Sequence, residues 1–168
     1  PIASLPSDHA EMFELAPVSL WLEDYSGLKA LLDGWRQAGV TSLRGHLAGH
    51  PSRVKECASR IRVLAVNRKT LTLFAADDLP HLVANLDQVF RDDMLKTHID
   101  ELVQLWEGQT EFFSNTVNYT LKGERLDIQL KAAILPGYEQ DWARVLIAIE
   151  DVTDREEARR RLRGSENY

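Results

Sequence analysis

The chain has 168 residues, of which 44% are hydrophobic, so we expect a single domain with a sizeable core. Its 20 basic and 26 acidic residues leave a formal net charge of −6, which argues against nucleic acid and anionic membrane surfaces as partners. The one cysteine, Cys57, excludes an internal disulfide, and no apolar run approaches the roughly 20 residues of a membrane-spanning helix, so a cytoplasmic setting is expected.

The N-terminal segment, residues 1–16, is predicted to contain an amphipathic helix over residues 9–15. Pro17 ends this helix, because proline disfavours helical geometry in the residue before it. Residues 18–24 then alternate with a period of two, which predicts a strand with apolar side chains on both faces. The apolar side of the N-terminal helix consists of Met12, Phe13 and Leu15.

Residues 25–59 change to a helical pattern, for which we predict three helices separated by turns. Gly39 is suited to end the first helix, since glycine readily adopts the left-handed conformation, and Pro51 fits the first turn of the third. The first helix carries an apolar stripe formed by Leu28, Leu31, Leu32 and Trp35.

A second strand is predicted at residues 60–67, where Asn67 is suited to cap the helix that follows. Further helices lead to a longer one at residues 92–106, which Gly108 ends. One side of this long helix is apolar apart from a single histidine and consists of Met94, Leu95, His98, Leu102, Leu105 and Trp106.

Three strands follow, at residues 112–122, 125–135 and 142–152. Lys122-Gly123-Glu124 is a hairpin turn between the first two, so we expect an antiparallel arrangement. The last strand has apolar residues on both faces, which places it inside the sheet. This order of elements predicts an α+β fold of about five strands, with helices gathered mainly on one face.

The last strand passes directly into a highly charged helix at residues 154–168. Thr153 and Glu156 fit a capping box, and Glu156 and Arg160 have the spacing of a stabilising i, i+4 pair. Because so few of its residues are apolar, we expect this helix to stand in solvent. The sequence begins without Met and ends within this helix, so we interpret it as part of a longer protein.

Four segments resemble, in order, the PAS family of sensor domains: "FELAPVSLWLED", "RVLAVNRKTLTLFAA", "LWEGQTEFF" and "VLIAIEDVTDREEA", which together span residues 13–158. The last is similar to the Asp-Ile/Val-Thr motif through which such domains enter an exit helix. The resemblance implies, for residues 17–153, a five-stranded antiparallel sheet of order 2-1-5-4-3 with helices enclosing a pocket over one face. It also implies that residues 25–59 are inserted between the first two strands, as in bacterial sensors with diguanylate cyclase or histidine kinase outputs.

Two residues bear on a cofactor. Haem-binding PAS domains use a histidine of the long helix before the third strand, and His98 lies on such a helix, although its apolar neighbours also favour a structural histidine. Flavin-binding members need a cysteine in a central helix, whereas Cys57 lies in the inserted segment on an apolar helical face. We therefore expect no flavin, predict no metal site, and leave the identity of a cofactor open.

The third strand supplies the main candidates for a ligand pocket. Alternation places Asn115 on the same face as Phe113, Val117 and Tyr119, and a buried amide needs a partner, because leaving it unpaired costs about 1 to 3 kcal/mol. A ligand, a water or the backbone could each supply that partner. The predicted ligand-binding residues are Asn115, Tyr119, Trp106, His98 and Phe113.

Trp21 and Trp142 indicate that the second face of the sheet is apolar as well. Since the helices cover the first face, either the N-terminal helix or a second copy of the chain must cover the second. We therefore predict a homodimer with an interface formed by Met12, Phe13, Trp21 and Trp142.

No Gly-rich phosphate loop, nucleophile elbow or His-Glu-x-x-His motif occurs, so we predict no catalytic residues in this chain. The resemblance implies a sensory module that binds a small molecule or a partner, with Asp151 and Thr153 relaying its state through the exit helix to an output domain. One alternative is a ligand-free dimerisation and relay module with a filled core. Another is an enzyme on a cone-like α+β fold, which would need a pocket carboxylate or histidine with a displaced pKa, and His98 is its candidate.

Overall fold

A computed structural model describes residues 5–91 and 94–166. The predicted units 1–16 and 154–168 and the predicted helix 92–106 therefore each include a few positions outside the described residues. The elements are, in chain order, α1 Leu5–Leu15, β1 Ser19–Asp24, α2 Ser26–Gln37, α3 Leu43–Leu47, α4 Pro51–Ser59, β2 Arg62–Val66, α5 Arg68–Phe74, α6 Leu79–Ala84, α7 Leu86–Val89, α8 Leu95–Trp106, β3 Glu111–Tyr119, β4 Arg125–Ile134, β5 Val145–Asp151 and α9 Thr153–Glu166.

The five strands form one antiparallel sheet in the order β2-β1-β5-β4-β3, which confirms the predicted fold class. β5 lies at the centre, as its two apolar faces indicated. It pairs with β1 on one side, where Trp21 is opposite Ile147, and with β4 on the other, where Leu130 is opposite Ile149.

Local signals explain most of the helix boundaries. The side chain of Asn67 accepts a hydrogen bond from the backbone N–H of Thr70 at 3.1 Å, so it caps α5 as predicted. Ser42 caps α3 through a 3.1 Å bond from the Gly45 N–H, and Pro51 is the first residue of α4. Helices α2, α3 and α4 all lie between β1 and β2, in the segment predicted to be helical.

The hydrophobic core lies between the sheet and the helices that cover one of its faces. On β5, Val145, Ile147 and Ile149 are buried on this side, whereas Leu146 and Ala148 lie half-buried on the opposite side. We call this opposite side of the sheet the outer face; its residues are Leu20, Leu22, Leu146 and Ala148.

The two tryptophans predicted for the outer face are elsewhere. Trp21 is only 1% exposed and lies on the helix-covered face, because strand pairing sets it beside Ile147. Trp142 precedes β5 in a turn with a positive φ of 57°, and its carbonyl accepts a hydrogen bond from the Tyr25 N–H at 2.8 Å. Their buried positions correct the prediction that Trp21 and Trp142 belong to an exposed interface.

Helix α9 begins where predicted but by a different mechanism. The N–H of Glu156 donates to the carbonyl of Val152 at 2.9 Å, so Thr153 does not form the expected capping box. Arg160 pairs with Asp127 of β4 at 3.2 Å rather than with Glu156, which attaches α9 to the sheet. Within residues 5–91 and 94–166, every helix is too short or too polar to cross a lipid bilayer.

Candidate ligand-binding site

A cavity of about 370 Å³ lies between the sheet and helices α4, α7 and α8. This volume is within the range of small-molecule sites. Most of its lining is apolar and comes from β1, α4, β2, α8, β4, β5 and the short segments beside them, namely Trp21, Val54, Ala58, Ile61, Val63, Leu86, Phe90, Met94, Leu95, Leu130, Ile147 and Ile149.

Helix α4 forms one wall of the cavity. Val54 of this helix is fully buried and lines the cavity, as do Ile61 and Val63 after the helix. Lys55 and Ala58 also belong to the lining and are exposed. The remaining exposed lining residues lie at the end of α4, on α7 and just after α7. They mark the mouth of the cavity, which therefore opens to solvent between α4 and α7, beside Ser59, Asp87 and Arg91.

The interior is polar at one end, where two buried carboxylates line the cavity. Glu23 of β1 is 6% exposed and Glu101 of α8 is 4% exposed. Burial, with a further contribution from the charge of Glu101, raises the pKa of Glu23 to about 8. Tyr25 Oη lies 3.5 Å from Glu23 Oε2, and burial raises the pKa of this phenol well above its usual value, so it remains a donor.

His98 and Glu101 form a hydrogen-bonded pair on one turn of α8. The Nδ1 atom of His98 is 3.1 Å from Glu101 Oε1, and the Ser114 hydroxyl donates to Glu101 Oε2 at 2.5 Å. A carboxylate on Nδ1 favours the tautomer that carries its proton there, which leaves Nε2 as an acceptor. This Nε2 atom is buried and, within the described residues, has no hydrogen-bond partner.

Of the five predicted ligand-binding residues, His98 lines the cavity and the other four do not. Asn115 and Phe113 are exposed, because β3 buries its alternate residues instead. The guanidinium of Arg36 stacks on Trp106 at 3.9 Å, and that of Arg91 stacks on Tyr119 at the same distance. The residues that β3 directs into the core are Phe112, Ser114, Thr116 and Asn118.

The argument that a buried amide needs a partner applies to Asn118 rather than to Asn115. Asn118 is fully buried, and its Nδ2 donates to Met94 Sδ at 3.2 Å and to the Val117 carbonyl at 3.0 Å. Its Oδ1 has no partner within the described residues. Asn118 does not line the cavity, so this unpaired acceptor lies in the packed core beside it.

Sequence reasoning missed Glu23, Tyr25 and Glu101. A usable signal existed for two of them, since Glu23 is two residues from Trp21 on the same strand face and Glu101 is one helical turn from His98. Neither residue was among the predicted site residues, and glutamate is rarely buried unless it is paired.

The thiol of Cys57 does not fit the chemistry of a flavin adduct. Cys57 is fully buried in α4, burial raises its pKa to about 12, and it does not contribute to the cavity lining. In the part of the chain that the structure describes, no three side chains of His, Cys, Asp or Glu are grouped as metal ligands.

The cavity wall continues into the joint between the sheet and α9. Ile149 lines the cavity, and two residues later Asp151 Oδ1 accepts hydrogen bonds from the N–H and the hydroxyl of Thr153, at 3.0 and 2.5 Å. The same hydroxyl oxygen accepts a bond from the Asp127 N–H at 3.0 Å. The Asp127 side chain contacts both Arg125 and Arg160, at 3.1 and 3.2 Å, so β4, β5 and α9 meet at this point.

No family model matches the sequence, and neither does any curated protein. Solved structures do match, among them a PAS domain from Colwellia psychrerythraea, at 11% identity and a TM-score of 0.58, covering 89% of this chain and 98% of that one. A domain of a sensory box sensor histidine kinase/response regulator from Geobacter sulfurreducens matches at 14% identity and a TM-score of 0.54, covering 90% and 97%. A PAS domain in complex with ethanol, from a LuxR-family transcriptional regulator of Burkholderia thailandensis, matches at 12% identity and a TM-score of 0.53, covering 86% and 97%.

These matches extend over nearly the whole of each compared domain. At such low identity the likeness concerns the fold, and with its five antiparallel strands, helix-covered cavity and C-terminal helix this chain has the fold of a PAS domain.

Proposed function

We propose that this chain is a sensory module that binds a small molecule in the cavity and transmits its state through α9 to an output domain. One observation carries the proposal. β5 contributes Ile147 and Ile149 to the cavity wall, and the same strand ends at the Asp151–Thr153 joint with α9. The last cavity residue of this central strand, Ile149, is therefore two residues from Asp151, where the strand joins α9.

The mechanism that fits this arrangement is a population shift. A ligand changes the equilibrium between two orientations of α9 only if it binds one of them more tightly than the other. Two contacts between α9 and β4 can couple the orientation of α9 to the sheet. Thr153 is bonded to the backbone of Asp127, and Arg160 pairs with the side chain of the same aspartate. Displacement of β5 relative to β4 would strain both contacts together.

The proposed output is a diguanylate cyclase or a histidine kinase. Support comes from the resemblance of the sequence to sensors of those classes and from the matching domain of the Geobacter sulfurreducens sensor histidine kinase. We propose a cytoplasmic location, in agreement with the composition and the single cysteine.

The test uses the full-length protein, purified from its own host and examined by native mass spectrometry for a retained molecule. Ala58→Trp places a large side chain at the exposed mouth of the cavity and should abolish both ligand retention and regulation of output. Val83→Trp, on an exposed position of α6 outside the lining, is the matched control. Regulation that persists unchanged in Ala58→Trp would contradict sensing through this cavity.

An absorption spectrum of the same preparation addresses haem. The unpartnered Nε2 of His98 is the type of donor atom that binds haem iron, so a Soret band lost in His98→Ala would identify His98 as an axial ligand. A spectrum without such a band excludes haem as the retained molecule.

A second candidate function is a ligand-free dimerisation and relay module. The outer face favours it, because its leucines are only half-buried, and Met12 of α1 is 68% exposed. We propose that a second copy of the chain covers Met12, Phe13 and this face, whereas Trp21 and Trp142 stay inside each subunit. The two functions are compatible, since a dimer would bring the two α9 helices under the control of both cavities.

For the enzymatic alternative, Glu23 is a candidate general base. Glu23 is a cavity carboxylate with the displaced pKa that such a site needs. We nevertheless expect that the protein does not chemically change the molecule it retains. Mass spectrometry of the ligand after prolonged incubation with the protein tests this, and a new product absent from a Glu23→Gln control would establish catalysis.

A further inference from the structure

We propose that the cavity recognises a small apolar molecule that carries a protonated amine, with the ammonium group held beside Glu23 and His98. This inference rests on the proposed function, because it names the class of ligand for the same cavity. It follows from the kind of polar groups inside the cavity and from their burial.

The polar end of the cavity consists mainly of acceptors. Glu23 and Glu101 present carboxylate oxygens, and His98 presents an unpartnered Nε2. Within the described residues, the Glu23 carboxylate accepts a single hydrogen bond, the long one from Tyr25. A ligand carboxylate or phosphate would add acceptors and negative charge beside Glu101, and it could be held only by the single proton of Glu23. A primary ammonium offers three donors and a positive charge.

Burial makes this preference strong. A carboxylate removed from water is stable only when it is protonated or paired with a cation. Among the described residues, Glu101 has two partners, His98 and Ser114, whereas Glu23 has only the weak bond from Tyr25. Glu23 is therefore the group that gains most from an incoming cation.

The other charged groups of the lining are at the mouth. Lys55 of α4, Asp87 of α7 and Arg91 are exposed, so water screens their charges, in contrast to those of Glu23 and Glu101. The walls between the mouth and the carboxylates are apolar, with Trp21, Phe90 and Ile147 among them. They fit an aliphatic or aromatic tail.

The experiment measures binding of matched probes to the purified chain by isothermal titration. The probes are hexylamine and 2-phenylethylamine, each compared with the alcohol and the carboxylate of the same carbon skeleton. We expect the amines to bind at least about tenfold more tightly than the alcohols, and the carboxylates to bind most weakly. At pH 7 the amine should displace a proton from Glu23, which is detected as a dependence of the binding enthalpy on the ionisation enthalpy of the buffer.

Two variants complete the design. Glu23→Gln keeps the shape of the side chain and should reduce the amine–alcohol difference to less than about twofold while alcohol binding persists. Glu150→Gln, on the exposed end of β5, should behave like the wild type. Alcohols or carboxylates that bind as well as the amines would overturn this inference and leave the sensory function standing. Absence of binding by every probe would overturn the inference, and a cavity that also retains no molecule from the host would count against the sensory function itself.

Discussion

The hydroxyl oxygen of Thr153 accepts a hydrogen bond from the backbone N–H of Asp127, 26 residues earlier in the chain, at 3.0 Å. The same hydroxyl donates a hydrogen bond to Asp151 Oδ1 at 2.5 Å. One side chain at the start of α9 therefore joins two adjacent strands to this helix. The Asp-Val-Thr sequence at residues 151–153 is a connector between strands as well as the beginning of a helix.

Thr153→Val should weaken this connector. The variant keeps the branched shape but removes both hydroxyl bonds, and we expect the free energy of unfolding to fall by about 1 to 3 kcal/mol. Urea denaturation measures this loss, and hydrogen exchange should become faster at the N–H of Asp127. Thr153→Ser retains the hydroxyl and should recover most of the stability. A loss in Thr153→Ser without a loss in Thr153→Val would show that packing of the methyl group, rather than the hydroxyl, matters.

Arg160→Ala should loosen α9 without unfolding the domain. The arginine is about half exposed, so its pair with Asp127 is expected to contribute no more than about 0.5 to 1 kcal/mol. Limited proteolysis within α9 should accelerate, while the melting temperature of the domain changes little. Arg161→Ala removes the same charge from the next, exposed position and is the control. Identical cleavage rates for the two variants would exclude a role for the Asp127 contact.

Glu23 should make the ligand-free domain less stable as the pH rises. Its pKa is about 8 in the folded state and 4.5 as the unperturbed value, so between these limits the folded state binds more protons than the unfolded state. The free energy of unfolding therefore decreases from about pH 4.5 to pH 8, by up to a few kcal/mol. Urea titrations between pH 5 and 9 measure the slope.

Glu23→Gln should flatten that slope and raise stability at pH 8, because the buried amide carries no charge. Glu150→Gln should retain the wild-type slope, since this carboxylate is exposed. A slope that is the same in all three proteins would assign the pH dependence to other groups.

The proposed dimer should depend on the outer face. Multi-angle light scattering at tens of micromolar is expected to give twice the monomer mass, and Leu22→Asp or Met12→Asp should shift it towards the monomer, because each places a charge in an apolar interface. Val83→Asp introduces the same charge at another exposed apolar position and should leave the mass unchanged. A monomer in the wild type would contradict the proposal directly.

The strands were predictable because they alternate clearly and turn residues separate them, and their order in the sheet was implied by the resemblance to PAS domains. β4 shows this best, since Leu126, Ile128, Leu130, Ala132 and Ile134 all face the core as their spacing indicated. β3 shows the opposite. Its apolar residues Phe113 and Tyr119 lie away from the core, while polar Ser114 and Asn118 are buried. Hydrophobicity alone therefore assigned the wrong face.

The reason for that inversion lies on α8. Ser114 is buried because it donates to Glu101, and Thr116 because its hydroxyl lies 2.6 Å from that of Thr97. Each polar residue is compensated by a partner on a different element, and such pairs have no periodic signature in one sequence. The same applies to the cavity, where Glu23 and Glu101 come from segments far apart in the chain. His98 was found because haem-binding PAS domains use a histidine of the corresponding helix, which the resemblance supplied.

Helix α4 contributes to the cavity but not to the contacts that hold α9. It walls the cavity and borders its mouth, yet it takes no part in the hydrogen-bonded ladder or in the junction with α9. Under the proposed sensory function, residues 51–59 could thus be exchanged for another helix to accept a different chemical, while the strands joined to α9 stay the same. A receptor built in this way would acquire new specificities by replacing one short segment without changing its connection to α9.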